Sequence, residues 1–280
     1  MEKKYVLTEE TKRVNGKLLH RIKAIRDFNN VKEGDLGGFI ETEGNLSHEG
    51  NCWVDDEAKV FGNARVYDNA VVYDNASVCH DAHVYGNAAV YGNARVGGDA
   101  RVYDYARVSG RSNVYGNARV FDEGEVHGEA MVYDNAMVFG YAEVYGNAFV
   151  NGNARVYENA FVYGSTFVNG NARVYGEAWV YGNARVCDEA EVYGKAKVCG
   201  QAIVRFDAKV SSIADYIVFK NWWSSGRHFT WTRSNDKWLV GCFYGSGEEL
   251  VAKAYKDSEL SGREYQRVVE YVESIKKAKC

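Results

Sequence analysis

The strongest constraint on the fold of this chain is a valine that recurs at every sixth position from Val54 to Val210. The series contains 27 valines and has no exception, insertion or deletion. A small residue lies four positions after each valine, and from Ala58 to Ala208 it is alanine except at Ser112, Gly124 and Thr166. Because a fixed repeat is the signature of solenoid architectures, this pattern decides the fold class before any single motif does.

Each hexad predicts one short strand followed by one corner. In a unit such as 114–119, Val-Tyr-Gly-Asn-Ala-Arg, alanine and valine point to one side of the backbone and their neighbours to the other. The Gly-Asn and Asp-Asn pairs accept the left-handed backbone angles of tight turns. Because a strand of about four residues is not stable alone, equivalent strands from successive coils must stack in parallel and in register.

The pattern resembles the hexapeptide repeat of left-handed parallel β-helices, in which three hexads close one triangular coil. The resemblance implies a mainly β protein whose 27 hexads form about nine coils around a narrow core of valine and alanine. The chain contains no proline, although average composition predicts about 14. Because proline lacks the N–H that a strand needs when it pairs on both sides, its absence agrees with a chain of central strands.

Different segments flank the repeat and are predicted to cover its open ends, which would otherwise template further strands. Residues 5–14 and 17–28 flank Asn15-Gly16, a strong two-residue turn signal, and predict a β-hairpin. Residues 34–40 predict an irregular cap that enters the first coil. We therefore divide the chain into a capping hairpin, a hexapeptide-repeat β-helix and a C-terminal α+β domain, at residues 1–45, 46–212 and 213–280.

The segment 25–53 resembles the N-terminal cap of phage and enterobacterial hexapeptide-repeat proteins that are often labelled transferases. The residues that carry the likeness are Asp27-Phe28-Asn29-Asn30-Val31, Gly37-Gly38-Phe39 and Leu46-Ser47. Because one fold hosts many functions, that label carries little weight for activity. The resemblance implies a phage- or prophage-encoded accessory protein.

The C-terminal domain is predicted to contain three strands and two helices. Residues 216–223, 228–233 and 237–244 predict strands. Ser246-x-x-Glu249 and Ser261-x-x-Glu264 fit the capping box that begins a helix. The order β-β-β-α-α is similar to a small domain that ends several phage-encoded proteins. Four tryptophans form either a small core here or a partner site, namely Trp222, Trp223, Trp231 and Trp238.

Residues 18 positions apart are predicted to lie on the same face of the prism, one coil apart. One face then carries an aromatic column beside a basic column, and we name the two columns together the Arg–aromatic face. The aromatic column is Tyr67, Tyr85, Tyr103, Phe121, Phe139, Tyr157, Tyr175 and Tyr193. The basic column is Arg65, His83, Arg101, Arg119, Met137, Arg155, Arg173 and Glu191.

The Arg–aromatic face admits two interpretations. In the first, stacked rings stabilise in-register strands, arginines stack on the rings, and the acidic corners Asp68, Asp104, Asp122 and Glu158 neutralise the arginines. In the second, the arginines bind an anionic partner, which is single-stranded nucleic acid, a nucleotide-type small ligand or an acidic protein surface. The candidate binding residues are then Arg65, Tyr67, Tyr85, Arg101, Tyr103, Arg119, Arg155, Tyr157, Arg173 and Tyr175.

Large apolar residues at outward positions gather between residues 131 and 181, on the two other faces, and predict a contact surface. The partner is either another copy of the chain or the folded-back terminal domain. We expect self-association into a dimer or trimer through this patch, together with tryptophans of the C-terminal domain. The candidate interface residues are Met131, Phe149, Phe161, Phe167, Trp179, Trp222 and Trp223.

Three functions remain open, and the sequence favours a non-enzymatic one. Hexapeptide β-helices include acyltransferases, which resemble one another in having a general-base histidine. The weak candidate here is His83, and no loop leaves the repeat to build a cleft. We therefore expect a binding or scaffold protein, such as a phage counter-defence factor that captures a host protein or an anionic nucleotide-type ligand. The alternatives are a hexapeptide-repeat acyltransferase and a structural virion or assembly component.

No cofactor and no metal site are expected. The cysteines show no Cys-x-x-Cys spacing, and they are Cys52, Cys79, Cys187, Cys199, Cys242 and Cys280. The net charge of −4 gives no reason to expect binding of double-stranded DNA. The first residues lack a signal-peptide pattern, and no stretch of about 18 apolar residues occurs, so we expect a cytoplasmic protein that does not bind membranes.

Overall fold

A parallel β-solenoid forms the body of the protein, as the repeat predicts. The computed structural model describes residues 2–277, so Met1 and residues 278–280, with Cys280, lie outside the described part. The solenoid contains 27 strands of two residues each, which we number β4 to β30. They fall into three sheets, and each strand from β4 to β27 pairs in parallel with the strand 18 residues further along the chain.

Each coil contributes one strand to each of three sheets, which we name the third sheet, the hairpin sheet and the Arg–aromatic face. The third sheet contains β4 (Trp53–Val54), β7 (Val71–Val72), β10 (Ala89–Val90), β13 (Arg107–Val108), β16 (Glu125–Val126), β19 (Glu143–Val144), β22 (Phe161–Val162), β25 (Trp179–Val180) and β28 (Lys197–Val198). The hairpin sheet contains β5 (Lys59–Val60), β8 (Ser77–Val78), β11 (Arg95–Val96), β14 (Asn113–Val114), β17 (Met131–Val132), β20 (Phe149–Val150), β23 (Phe167–Val168), β26 (Arg185–Val186) and β29 (Ile203–Val204). The Arg–aromatic face is formed by β6 (Arg65–Val66), β9 (His83–Val84), β12 (Arg101–Val102), β15 (Arg119–Val120), β18 (Met137–Val138), β21 (Arg155–Val156), β24 (Arg173–Val174), β27 (Glu191–Val192) and β30 (Lys209–Val210).

Hydrogen bonds between coils hold the solenoid together. The N–H of Arg65 donates to the carbonyl of Ala82 (2.9 Å) and the N–H of Tyr67 to that of Val84 (3.1 Å), and the same pattern continues along the prism. Repeat valines and alanines are fully buried or nearly so, and they form one continuous core. The corners are tight because each stacks on the next. At Gly86, with φ +67, an added Cβ would lie 2.8 Å from the backbone nitrogen of Asp104.

Two polar residues replace alanine inside the prism and differ in how they are accommodated. The hydroxyl of Ser112 donates to the carbonyls of Ser109 (2.7 Å) and Val126 (3.3 Å). The buried hydroxyl of Thr166 has no hydrogen-bond partner within residues 2–277. A buried polar group without a partner loses its water and gains nothing in return.

The N-terminal hairpin forms as predicted but ends earlier. It consists of β1 (Tyr5–Val14) and β2 (Lys17–Ala24), joined by Asn15 (φ +50) and Gly16 (φ +81). The second strand stops at Ala24 because Phe28 and Val31 exchange backbone hydrogen bonds (3.0 and 2.9 Å) and turn the chain.

Residues 34–40 correct the prediction of an irregular cap. β3 (Leu36–Ile40) pairs antiparallel with β2 and parallel with β5, so it joins the hairpin to the solenoid in one 12-stranded sheet. A short 3-10 helix follows at Glu43–Asn45, and Leu46 bridges to Val66. These contacts add a partial turn to the nine coils of the repeat.

The C-terminal unit contains four strands rather than the three predicted. They are β31 (Tyr216–Lys220), β32 (His228–Thr232), β33 (Lys237–Val240) and β34 (Phe243–Gly245), and a 3-10 helix at Ile213–Asp215 precedes them. The predicted strand at 237–244 splits because Gly241, with φ +59, reverses the chain and pairs Val240 with Phe243.

Two helices complete this unit, α1 (Gly247–Asp257) and α2 (Glu259–Lys277). The capping box of α1 is confirmed, because Ser246 and Glu249 bond each other's backbone N–H (3.2 and 2.7 Å). The second predicted box does not begin a helix, since α2 starts at Glu259 and Ser261 lies inside it. The unit covers the last coil, where Thr230 and Ser234 accept the N–H groups of Ile203 (3.0 Å) and Lys209 (2.7 Å).

Candidate functional site

The aromatic column of the Arg–aromatic face forms an unbroken stack. Neighbouring rings from Tyr67 to Tyr193 lie 4.8 to 5.3 Å apart between centroids and are parallel to within 11°. The rings are half-buried, and because their faces stack on one another they present their edges to solvent along the length of the prism. The spacing follows from the coil, because one coil advances the chain by one strand spacing of about 4.8 Å.

The arginines beside this stack form no ion pair with any carboxylate in the described part of the chain. Within residues 2–277, no carboxylate lies within 4.0 Å of the candidate binding arginines, which are all exposed and are Arg65, Arg101, Arg119, Arg155 and Arg173. Arg101 pairs with Arg119 across adjacent strands, and Arg155 with Arg173. Like charges on neighbouring strands repel each other, so this column attracts anions.

Three of the four corner acids bind backbone N–H groups rather than these arginines. Asp68 accepts the N–H of Gly86 (3.2 Å), Asp122 that of Gly140 (3.2 Å) and Glu158 that of Gly176 (2.9 Å). Each carboxylate therefore bonds the backbone of the next corner instead of an arginine side chain. Neutralisation of the column by the acidic corners, Asp104 included, therefore stays a prediction that no direct ion pair supports.

His83 is the one titratable base among these arginines. Its strand lies between those of Arg65 and Arg101, and its half-buried ring meets the edge of Tyr67 at 5.9 Å between centroids. Burial lowers the pKa of His83, Arg101 and Arg65 lower it further, and Asp81 and Asp99 oppose the shift. The imidazole is therefore neutral at pH 7 and able to accept a proton.

The predicted apolar patch is divided between two sheets. Met131, Phe149 and Phe167 lie on the hairpin sheet, where the two phenylalanine rings stack at 4.9 Å. Phe161 and Trp179 lie on the third sheet, 5.2 Å apart between centroids. They thus form two patches rather than one. Self-association into a dimer or trimer stays a prediction, with these two patches as its candidate contacts.

The two tryptophans proposed as interface residues differ in exposure. Trp223 packs on Tyr265 at 4.9 Å between centroids and belongs to the core of the C-terminal unit. Trp222 is 71% exposed. The buried Trp231 and Trp238 fill the same core, so of these four tryptophans only Trp222 is exposed.

A cavity under the N-terminal hairpin was not predicted from the sequence. It has a volume of about 630 Å³ and lies between the hairpin tip at Val14 and the outer surface of the hairpin sheet. Cys79 and His80 line it, and the thiol Sγ lies 3.2 Å from the imidazole Nδ1. The sequence signal was the Cys-His pair at a corner, but nothing in the repeat indicates that the hairpin covers this coil.

Two further searches concern metals and membranes. Within residues 2–277, no group of three or more His, Cys, Asp and Glu side chains is arranged to hold a metal ion. In the same part of the chain, no helix is both long enough and apolar enough to cross a bilayer.

Comparison with known proteins finds a family likeness in the first coils of the solenoid. The family described as YdcK beta solenoid repeat matches residues 58–74, 64–80 and 94–110. The chain is also similar to the "Uncharacterized acetyltransferase YdcK" of Escherichia coli (strain K12), with 52% identity over 40 residues. That match covers 14% of this chain and 12% of the relative's own length.

These likenesses correct the preferred function. The relative is named an acetyltransferase, which favours the acyltransferase alternative over a non-enzymatic phage binding or counter-defence protein. The hairpin tip at Val14 also shelters part of the hairpin sheet from outside the repeat.

Proposed function

We propose that this protein is an acyltransferase, which moves an acetyl or similarly short acyl group from an anionic thioester donor to a nucleophilic acceptor. The observation that carries the proposal is the 52% identity over 40 residues to a protein named an acetyltransferase. The matched repeats end at residue 80 and resume at residue 94, on either side of His83. Because the match is short, the roles of individual residues rest on their geometry in this chain.

His83 is the proposed general base. Its lowered pKa keeps the imidazole neutral at pH 7, so it can take the proton from an acceptor N–H or O–H. The acceptor then attacks the thioester carbonyl, the C–S bond breaks, and the proton ends on the released thiol. A general base of this kind contributes about 10²–10⁴-fold to the rate.

The arginines beside His83 are proposed to bind the anionic part of the donor. Arg65 and Arg101 lie on the strands next to His83, and no carboxylate within residues 2–277 lies within 4.0 Å of either. Guanidinium groups bind phosphate in a bidentate way. At about 4.8 Å per coil, Arg65 and Arg119 are about 14 Å apart, so an extended donor would contact several arginines.

The proposal is tested by measuring thiol release from acetyl-coenzyme A in the presence of a panel of amines and alcohols. We expect acceptor-dependent release, and His83→Gln should lower kcat/KM about 10²–10⁴-fold. His127→Gln is the matched control, because the His127 ring also contacts a tyrosine ring of the solenoid surface (4.9 Å between centroids) but faces Glu143 rather than arginines. Absence of acceptor-dependent release with every acceptor would contradict the proposal, and an unchanged rate in His83→Gln would exclude His83 as the base.

The pH dependence of the reaction gives a second test. Because the pKa of His83 is lowered, its neutral form persists below pH 6.5, and the acid limb of kcat/KM should lie below that value. Arg101→Gln removes a neighbouring positive charge, so it should move this limb to higher pH, whereas Asp99→Asn should move it to lower pH. An acid limb that stays in place in both variants would show that another group controls the rate.

A further inference from the structure

The pair formed by Cys79 and His80 has the geometry of a nucleophile beside its base. The thiol Sγ and the imidazole Nδ1 are 3.2 Å apart. Burial raises the pKa of the Cys79 thiol, and Arg95 partly opposes this shift. The thiol is therefore protonated near pH 7 and needs a neighbouring base to become a nucleophile. His80 is exposed at its corner and supplies that base.

Gly97 keeps the pair open toward the cavity. It occupies the position of Cys79 in the next coil, where neighbouring coils of the same column carry Phe61 and Tyr115. A Cβ at Gly97 would lie 3.3 Å from both Sγ of Cys79 and Nδ1 of His80. Any side chain here would crowd the pair, so glycine leaves space for a ligand atom beside the sulfur.

The same cavity is lined by two cationic side chains that have no counter-charge. Lys59 and Arg95 flank Ser77 on the hairpin sheet and both line the cavity. Within residues 2–277, neither lies within 4.0 Å of a carboxylate. Burial, with Lys12 and Arg95 nearby, holds the pKa of Lys59 below its ordinary value, while Glu57 opposes the shift. A positive cavity beside a half-buried thiol is typical of reactive cysteines.

We propose that this cavity is a thiol–disulfide exchange site for an anionic disulfide, with Cys79 as the nucleophile, His80 as the base, and Lys59 and Arg95 binding the ligand's carboxylates. This site is separate from the proposed acyl transfer at His83 and does not depend on it. It lies on the hairpin sheet, across the corner from the Arg–aromatic face.

The exchange step conserves atoms and electrons. His80 takes the thiol proton as the Cys79 sulfur attacks one sulfur of the disulfide. The new bond joins Cys79 to that sulfur, the original S–S bond breaks, and the second half leaves as a thiolate that receives the proton. The Cys79 sulfur is oxidised and the leaving sulfur is reduced, so no other oxidant is needed.

The test compares an anionic with a neutral disulfide on the full-length protein. Oxidised glutathione and bis(2-hydroxyethyl) disulfide are each added, and peptide mass spectrometry gives the rate of mixed-disulfide formation at each cysteine. We expect Cys79 to react with oxidised glutathione at least tenfold faster than Cys187, which is its matched control. Cys187 occupies the same column but is only 9% exposed. Cys79→Ser should remove the fast phase.

Two classes of variant distinguish the contribution of the base, His80, from that of the cations, Lys59 and Arg95. His80→Asn should slow both reagents about 10²-fold, and asparagine tolerates the left-handed backbone of this corner (φ +61). Lys59→Met should slow oxidised glutathione about tenfold and leave the neutral disulfide unchanged. Arg95→Gln should slow oxidised glutathione more than the neutral disulfide, which also slows because Arg95 lowers the pKa of the Cys79 thiol. Thermal unfolding midpoints confirm that each variant is folded.

Three outcomes would overturn the inference. The first is that Cys79 reacts no faster than Cys187 with either reagent. The second is that the preference for the anionic disulfide survives both Lys59→Met and Arg95→Gln. The third is an unchanged rate in His80→Asn. None of these results affects acyl transfer at His83, which is measured by acceptor-dependent thiol release.

Discussion

Cys79 and Cys187 occupy the same position of the repeat, six coils apart, yet their surroundings differ. Cys79 faces a cavity, with His80 at its corner and Gly97 in the next coil. Cys187 has Asp188 at its corner and Arg205 in the next coil, and these two form an ion pair with Nε 3.0 Å from Oδ2. The corner residues share a φ of +61. The repeat thus determines the direction of a side chain, and the non-consensus residues beside it determine its exposure and chemistry.

The difference between the two cysteines should change most when the residue one coil after each of them, Gly97 or Arg205, is replaced by the other. Gly97→Arg should place a side chain over Cys79, as Arg205 stands beside Cys187, and slow its reaction with oxidised glutathione about 10–100-fold. The physical reason is loss of access to the sulfur, since a Cβ at Gly97 already meets Sγ at 3.3 Å.

The reverse exchange provides the control. Arg205→Gly should expose Cys187 and raise its labelling, but Cys187 should stay slower than Cys79 because no histidine stands at its corner. An unchanged rate for Cys79 in Gly97→Arg would mean that the cavity is not the route to the thiol.

The hairpin end can be tested through Arg21, which fastens the hairpin to the solenoid. Its guanidinium donates to Glu10 (2.9 Å), Glu57 (2.8 Å) and the carbonyl of Gly37 (2.9 Å), and it lies 4.4 Å from the ring centroid of Phe39. Arg21→Ala should lower the free energy of unfolding by about 2 kcal/mol, because it removes hydrogen bonds to charged groups from a side chain that is 15% exposed.

Chemical denaturation measures this loss, and Cys79 labelling shows whether the cavity opens. Lys3→Ala is the control, because Lys3 makes an exposed ion pair with Glu43 (2.6 Å) at the same end of the molecule. Exposed pairs contribute about 0–1 kcal/mol. Equal losses in the two variants would show that Arg21 does not fasten the hairpin.

Two interior residues extend the comparison to the core. Thr166→Val should raise the free energy of unfolding by about 1 kcal/mol, because it removes a buried hydroxyl that has no partner within residues 2–277 and keeps a similar shape. Ser112→Ala should not stabilise the protein in the same way, because the Ser112 hydroxyl donates to two carbonyls. Chemical denaturation compares the two, and destabilisation by Thr166→Val would contradict the prediction.

The smallest expected effect lies at the Asp188 corner. Asp188→Asn should lower the free energy of unfolding by about 0.5 kcal/mol, since the pair with Arg205 is partly exposed and such pairs are weak. The effect should shrink at high salt because ions screen the pair. Thermal unfolding at two ionic strengths measures it, and a loss that is independent of salt would point to the N–H bond from Phe206 (3.2 Å) instead.

Much of the fold follows directly from local sequence. The Asn15-Gly16 turn, the capping box at Ser246 and Glu249, and the inward valines are all placed correctly, because each depends on residues within a few positions. Local sequence signals do not predict an element correctly where pairing with a segment distant in sequence determines its structure. β3 is a strand because it pairs with β2 and β5, and the strand at 237–244 splits because β34 folds back on β33.

The sequence by itself determined the solenoid, its three faces and the columns on each face, because a six-residue period leaves one consistent way to bury valine and alanine. Only the tertiary structure decided which columns of charged side chains have no ion-pair partners and which coil the N-terminal hairpin covers. The corner acids bond the next backbone N–H instead of an arginine, and the hairpin tip reaches Cys79. The charge of a column and the covering of a coil both depend on contacts that the six-residue period does not specify. These contacts join residues at equivalent positions of the repeat, or involve residues outside the repeat.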